Sequence, residues 1–300
     1  MMKVINFGSL NLDYVYQVKT LVQPGETISC DTMTRFPGGK GANQSVALAR
    51  AGIPVWHAGM LGANDEWMRN LLAENGVDIR FVRLSETWPS GHAIIQVDAR
   101  GMNSIIVYGG ANQHIPHSLI GQVLDEAQEG DWLVLQNEIN LTPELLKAGK
   151  AAGMKICFNP APFAADVLDF PLDCVDVFIL NEIEAAGLAR RPVGMDLDEL
   201  VEELQQAFSE STLCITLGAD GAVCQSPETG LVRQSAFAAR VVDTTAAGDT
   251  FIGFFLAEIA QRASIQAALE IACKAAAVTI SRHGAIPSIP TRQEVDDFKV

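Results

Sequence analysis

A chain of 300 residues with 48% hydrophobic residues can bury one large core, and its length favours one large domain with a small appendage over two equal ones. Its formal charge of −15, without any cluster of Lys or Arg, excludes nucleic acid and anionic membrane as partners, because both require concentrated positive charge to displace counterions. There is no run of 18 apolar residues and no signal-like N-terminus, and the six scattered cysteines, lacking any CxxC, read as reduced core residues, so a soluble cytoplasmic protein is expected.

In chain order, Lys3 to Phe7 reads as a buried strand ending at Gly8-Ser9, and Asn11 to Tyr16 alternates polar with apolar residues. Thr27 to Phe36 resumes a polar, β-prone pattern. His92 to Asp98 and Asn103 to Tyr108 flank a turn at Ala99-Arg100-Gly101. These four segments predict a small antiparallel sheet over 11–39 and 91–110, a lid outside a main domain of 1–10, 40–90 and 111–300.

Elsewhere apolar runs at Val55 to Met60, Trp132 to Gln136, Lys155 to Asn159, Val175 to Leu180 and Leu213 to Leu217 predict strands. They alternate with helices predicted at Ala42 to Ala51, Glu66 to Glu74, Pro143 to Ala152, Asp196 to Phe208, Gly248 to Arg262 and Ile265 to Ser281. Ala222 to Cys224 and Leu231 to Gln234 add a hairpin at one edge. The fold class is therefore α/β, a three-layer α/β/α sandwich on a mostly parallel sheet. Ligands of such sheets bind beyond the carboxyl ends of the strands.

Several stretches fall there. Asn11 and Asp13, two apart on a strand, face the same way and could grip adjacent hydroxyls or belong to a solvated face. Pro37-Gly38-Gly39-Lys40-Gly41-Ala42-Asn43-Gln44 is not a P-loop, since Gly41 stands where Ser or Thr is needed. It is either a tight turn or a polyol clamp with Lys40 and Asn43 as donors. Glu138 lies just past a strand. Asn181 and Glu184 share one helical face and suit either a helix start or a hydrated Mg²⁺. Thr216-Leu217-Gly218-Ala219-Asp220-Gly221 is a strand-to-turn transition along which a nucleotide could run.

The most informative stretch is Val242-Asp243-Thr244-Thr245-Ala246-Ala247-Gly248-Asp249-Thr250, ahead of the apolar run Phe251 to Ala257. Thr244 and Thr245 can cap a helix whose free amides form an anion site. Asp249 in its first turn either stabilises the helix start or accepts a proton from an attacking hydroxyl. No transition-metal site is expected, because His114-Ile115-Pro116-His117 carries a proline that prevents a helical ligand pair.

Together these pieces resemble the PfkB family of carbohydrate kinases over nearly the whole chain. The run includes Gly109-Gly110-Ala111-Asn112, Asn159-Pro160-Ala161-Pro162 and Gly284-Ala285-Ile286-Pro287-Ser288. The resemblance implies Asp249 as base, with Ala246, Ala247 and Gly248 as anion hole. It implies Asn11, Asp13, Gly39, Lys40, Asn43 and Glu138 around the sugar, and Asn181, Thr216, Gly218, Gly221 and Cys273 along ATP. Glu184 would act on Mg²⁺ through water. Asp243, Thr245, Thr279, Arg282, Gly284 and Ser288 would form a K⁺ site, many of the ligands being backbone carbonyls. Two departures are present: Ala246-Ala247 replaces a commoner Gly-Ala, and Cys273 stands where a polar residue is common. The implied reaction is ATP-dependent phosphorylation of a furanose pentose, with D-ribose expected to give D-ribose 5-phosphate in a homodimer joined through the lid. The alternatives are the same chemistry on deoxyribose, another sugar or a nucleoside, and a sugar-binding regulator without turnover.

Overall fold

The computed structural model describes residues 2–298. Thirteen strands run β1 (Val4–Phe7), β2 (Asn11–Gln17), β3 (Thr32–Gly38), β4 (Val55–Gly62), β5 (Asp78–Ser85), β6 (Gly91–Val97), β7 (Asn103–Tyr108), β8 (Trp132–Gln136), β9 (Lys155–Asn159), β10 (Val177–Asn181), β11 (Thr212–Thr216), β12 (Ala222–Ser226) and β13 (Gly230–Gln234). The helices are α1 (Lys40–Arg50), α2 (Glu66–Glu74), α3 (Ser118–Leu124), α4 (Thr142–Ala151), α5 (Glu182–Leu188), α6 (Leu197–Ala207), α7 (Ala247–Ala260), α8 (Ile265–Ile280) and α9 (Arg292–Asp296).

Nine strands form one sheet in the order β13-β12-β11-β10-β9-β8-β1-β4-β5, parallel from β11 to β5 and closed by the antiparallel hairpin β12–β13. Alternation along each strand splits the core in two. Val4, Val134 and Ile179 face α1, α2, α7, α8 and α9, whereas Ile5, Leu133, Leu135 and Phe178 face α3 to α6. The chain builds outward from β1 to β4 and β5, then returns to lay β8 on the other side of β1. That reversal opens a crevice beyond the carboxyl ends of β1 and β8.

The second sheet has the order β3-β2-β6-β7. It corrects the expectation of an antiparallel lid. The hairpins β2–β3 and β6–β7 are antiparallel internally, but β2 and β6 pair in parallel because each is the first, outgoing strand of its excursion. The second lid strand, β3, also begins at Thr32 rather than Thr27. Strand β5 and helices α3 and α9 were not anticipated, and α5 only as a helix start at Asn181 to Glu184.

Candidate active site

The crevice is assembled from four chain segments: the β1–β2 junction, the β3–α1 turn, the end of β8 and the start of α7. Lid and main sheet meet through Asn112, which accepts from the Leu10 amide at 3.0 Å and donates to Asn11 Oδ1 at 2.8 Å. Asn11 is thereby fixed at the base of the lid. Two residues on, Asp13 approaches Gly38 so closely that a Cβ there would lie 2.2 Å from its carboxylate oxygen. Gly39 has φ +94° and would set a Cβ 2.8 Å from the Asn11 amide, so the β3–α1 turn accepts no other residue without strain. It delivers Lys40 to the first position of α1.

Glu138 accepts from the Ser9 hydroxyl and, at 3.2 Å, from the Lys40 amide. Lys40 makes no ion pair among the described residues. Burial alone would lower its ammonium, but Asp249, Glu138, Glu184 and Asp13 together outweigh burial and hold it above its ordinary value. Burial pushes the Asp13 carboxyl from 3.8 up to about 6, aided by Glu138 and opposed by Lys40. Glu138 is raised by burial against the pull of Lys40 and Ser9, and Glu184 by burial against the Asn181 amide. One cation thus serves several carboxylates without pairing to any.

Helix α7 begins differently from the threonine cap expected. Its N-cap is Ala246, in the left-handed region at φ 62°, with no side-chain cap. Thr245 turns its hydroxyl back to Asp243 Oδ1 at 2.6 Å. The Ala247 amide is taken by the Thr244 carbonyl at 3.3 Å, while the Ala246, Gly248 and Asp249 amides have no acceptor among the described residues. A threonine side chain folded over this helix start would occupy those donors. Left free, they form an anion site reinforced by the helix dipole. Beside them Asp249, 9% exposed, accepts from Asn43 Nδ2 and Gln44 Nε2, each at 2.9 Å.

A cleft of about 240 Å³ opens next to Asp249, lined by Lys40, Asn159, Asn181, Glu184, Thr216 and Ala246 to Gly248 among others. Asn181 and Glu184 form a capping box at the start of α5: Asn181 Oδ1 accepts from the Glu184 amide at 2.8 Å, and Glu184 accepts from the Asn181 amide at 3.0 Å. The helix-start reading of this pair therefore holds, and the pair also faces the cleft. No group of three or more His, Cys, Asp or Glu side chains able to hold a metal ion exists among the described residues. Glu184 suits Mg²⁺ only as a partner of its water shell, with a nucleotide's phosphates as direct ligands.

Three residues expected along the nucleotide, Cys273, Gly218 and Gly221, are not among those lining this cleft. Cys273 packs in the hydrophobic core, 6% exposed, with burial pushing its thiol up to about 12. Gly218 and Gly221 lie in the turn after β11; a Cβ on Gly221 would meet the Gln234 carbonyl at 2.0 Å, so the edge hairpin explains this glycine. On the other side of α7, Asp243 accepts from the Thr245 amide and the Gly284 amide, each at 2.9 Å, and these contacts hold its carboxyl below its ordinary value against burial. Ser288 donates to the Ala285 carbonyl and Thr279 to the Ala275 carbonyl, whereas the Arg282 side chain turns out to pair with Glu294. Ser9, Gln44, Asn112 and Asn159 lie in stretches the sequence marked but were given no role there, although they hold the named residues in place.

Comparison with known proteins gives the family. The model of the pfkB family carbohydrate kinases matches residues 1–292. The chain is 35% identical to the ribokinase of Haemophilus influenzae over 298 residues, covering 97% of this chain and 96% of that protein. Among solved structures, ribokinase from Cryptococcus neoformans in complex with ADP superposes with a TM-score of 0.88 at 31% identity, covering 99% of both chains. Arabidopsis thaliana ribokinase complexed with ribose and ATP superposes at 0.87 with 29% identity, covering both chains entirely. No helix among the described residues is long and apolar enough to cross a membrane. On this coverage, the chain belongs to the pfkB family of carbohydrate kinases.

Proposed function

We propose that this protein transfers the terminal phosphoryl group of ATP to the primary hydroxyl of a furanose pentose, D-ribose giving D-ribose 5-phosphate. The observation that carries the reading is the junction at α7, where a buried carboxylate held by two amides stands beside unpaired backbone N–H groups, opposite Lys40. Asn11, Asp13, Gly39, Lys40, Asn43 and Glu138 hold the sugar, and the Asp13 carboxylate, which accepts no hydrogen bond among the described residues, recognises vicinal hydroxyls as donors. Asp249 takes the proton as the hydroxyl oxygen forms its bond to phosphorus and the bond to the ADP oxygen breaks. The free amides at Ala246 and Gly248 meet the charge on the transferring group. Asn181 and Thr216 lie along the nucleotide.

Glu184 would hold the water shell of a Mg²⁺ brought in with ATP, and the ion would supply neutralising charge for the phosphates. K⁺ would sit behind α7, with Asp243 and carbonyls near Thr245, Thr279, Arg282, Gly284 and Ser288 as oxygen donors, and would steady the anion-hole turn. The lid supports a homodimer: Ile105, Ile106, Val107 and Tyr108 of β7 are all exposed, a contiguous apolar strand that a monomer has no reason to present. The free cysteines and the net charge fit a cytoplasmic setting.

The test is ADP release on a panel of ribose, deoxyribose, other sugars and nucleosides, with ATP and Mg²⁺, with and without K⁺. Ribose should have the highest kcat/KM. A higher value for any other acceptor would replace the substrate assignment, and sugar binding without ADP release would favour a regulator. Asp13 gives the physical basis for discrimination, since a carboxylate aimed at a diol is left without its donor by a deoxy sugar.

A further inference from the structure

The buried amides between β1, β8, β9 and α1 carry a direction that packing alone does not require. Asn6 and Gln44 are fully buried and Gln136 is 1% exposed. A backbone carbonyl only accepts, so it decides which way round a neighbouring side-chain amide sits. Asn6 Nδ2 donates to the Gly41 carbonyl at 2.8 Å and to Ser45 Oγ at 2.9 Å, which turns Asn6 Oδ1 towards Gln136. Gln136 Nε2 gives one hydrogen to that oxygen at 2.9 Å and the other to Gln44 Oε1 at 2.7 Å. Gln44 is left with its Nε2 hydrogens for Asp249 Oδ1 at 2.9 Å and Asn159 Oδ1 at 3.4 Å. Asn159 is oriented separately, donating to the Ile179 carbonyl at 2.9 Å. Reversing any one of these amides sets acceptor against acceptor or donor against donor. Gln136 Oε1 is buried and has no partner among the described residues.

We propose that Gln136, which does not line the cleft, is a positioning residue for Asp249. Held by Asn6, it orients Gln44 so that an N–H always faces Asp249 Oδ1, while Asn43 holds Oδ2. The carboxylate is thereby fixed in rotation and kept as an acceptor towards the cleft. The proposal rests on the reading of Asp249 as the base.

Steady-state kinetics of Gln136→Leu, Gln44→Met, their combination and Asp249→Asn test it. Gln136→Leu should lower kcat about 10-fold, the scale of one hydrogen bond to a charged group, with KM for sugar and ATP changed less than about twofold. Because Gln136 acts through Gln44, the double variant should be no slower than Gln44→Met alone. A merely structural effect would multiply instead. Should Gln136→Leu not fold, Gln136→Met keeps the side-chain length and gives the same comparison. Normal kcat in the Gln136 variant beside an inactive Asp249→Asn, or multiplying effects, would overturn the relay. Near-normal turnover of Asp249→Asn would overturn the base reading and the relay with it.

Discussion

Replacing Asp13 by Asn should stabilise the sugar-free protein, and the gain should depend on pH in a defined direction. The Asp13 side chain accepts no hydrogen bond among the described residues, and burial with Glu138 lifts its carboxyl from 3.8 in the unfolded chain to about 6. Below about pH 4 the group is protonated in both states and contributes nothing. Between about pH 4 and 6 the folded state holds the proton and the unfolded state does not, so stability falls as pH rises, and above that the whole penalty is present. At about 1.36 kcal/mol per pH unit the interval corresponds to roughly 3 kcal/mol. For a chain of this length, with an unfolding entropy of about 0.6 kcal/mol/K, that is about 5 °C in Tm. Differential scanning calorimetry of wild type and Asp13→Asn from pH 4 to pH 8 without sugar would measure it. The variant should melt higher at pH 8 and converge with wild type near pH 4, while losing kcat/KM for ribose. A Tm difference independent of pH, or a variant less stable at pH 8, would refute the argument that this carboxylate is held in the pocket against its own desolvation.

The other expectations are simpler. Asp249→Asn should cut kcat by about 10² to 10⁴, the range of general-base contributions, with a smaller change in KM by coupled ADP assay. Asp243→Ala frees the Thr245 turn from the Gly284 loop and should move the K⁺ activation curve to concentrations at least about 10-fold higher, while activity at saturating K⁺ partly returns. Ile106→Asp places a charge on the most exposed apolar strand of the lid and should convert a dimer to monomer by light scattering, with the melting of the main domain little changed.

What was legible in the chain follows from how locally each feature is encoded. The buried parallel strands were short apolar runs bounded by turns, and they appear close to where the pattern placed them. Strand β5 escaped because Asp78, Arg80 and Arg83 interrupt its apolar residues; at the sheet edge Arg80 pairs with Asp78 and Glu126 in solvent. Helix α3 escaped because its seven residues include Gly121 and follow Pro116 closely. The parallel β2–β6 pairing joins two excursions separated in sequence, and no local pattern carries that information. Likewise Lys40 and Asp249 announced themselves through glycines and a helix start, whereas Gln44 reaches its partner across 205 residues and is, as a residue type, an ordinary buried amide.

The charge balance of the site answers the question raised by composition. A protein of −15 that binds a nucleotide must attract phosphate locally, yet Asp13, Glu138, Glu184 and Asp249 all lie close enough to raise the Lys40 ammonium. The carboxylates occupy different places: Asp13 stands on the lid and Glu138 against the Lys40 amide, Glu184 lines the cleft, and Asp249 is held by Asn43 and Gln44. Acceptors on the lid side select a ligand rich in hydroxyl donors. On the nucleotide side attraction comes from unpaired amides at the start of α7, a fixed partial charge that no change of pH removes. On the function proposed above, a pocket built this way would bind a neutral polyol and an anion side by side, with Asp249 at the boundary where a proton must leave one for phosphorus to arrive from the other.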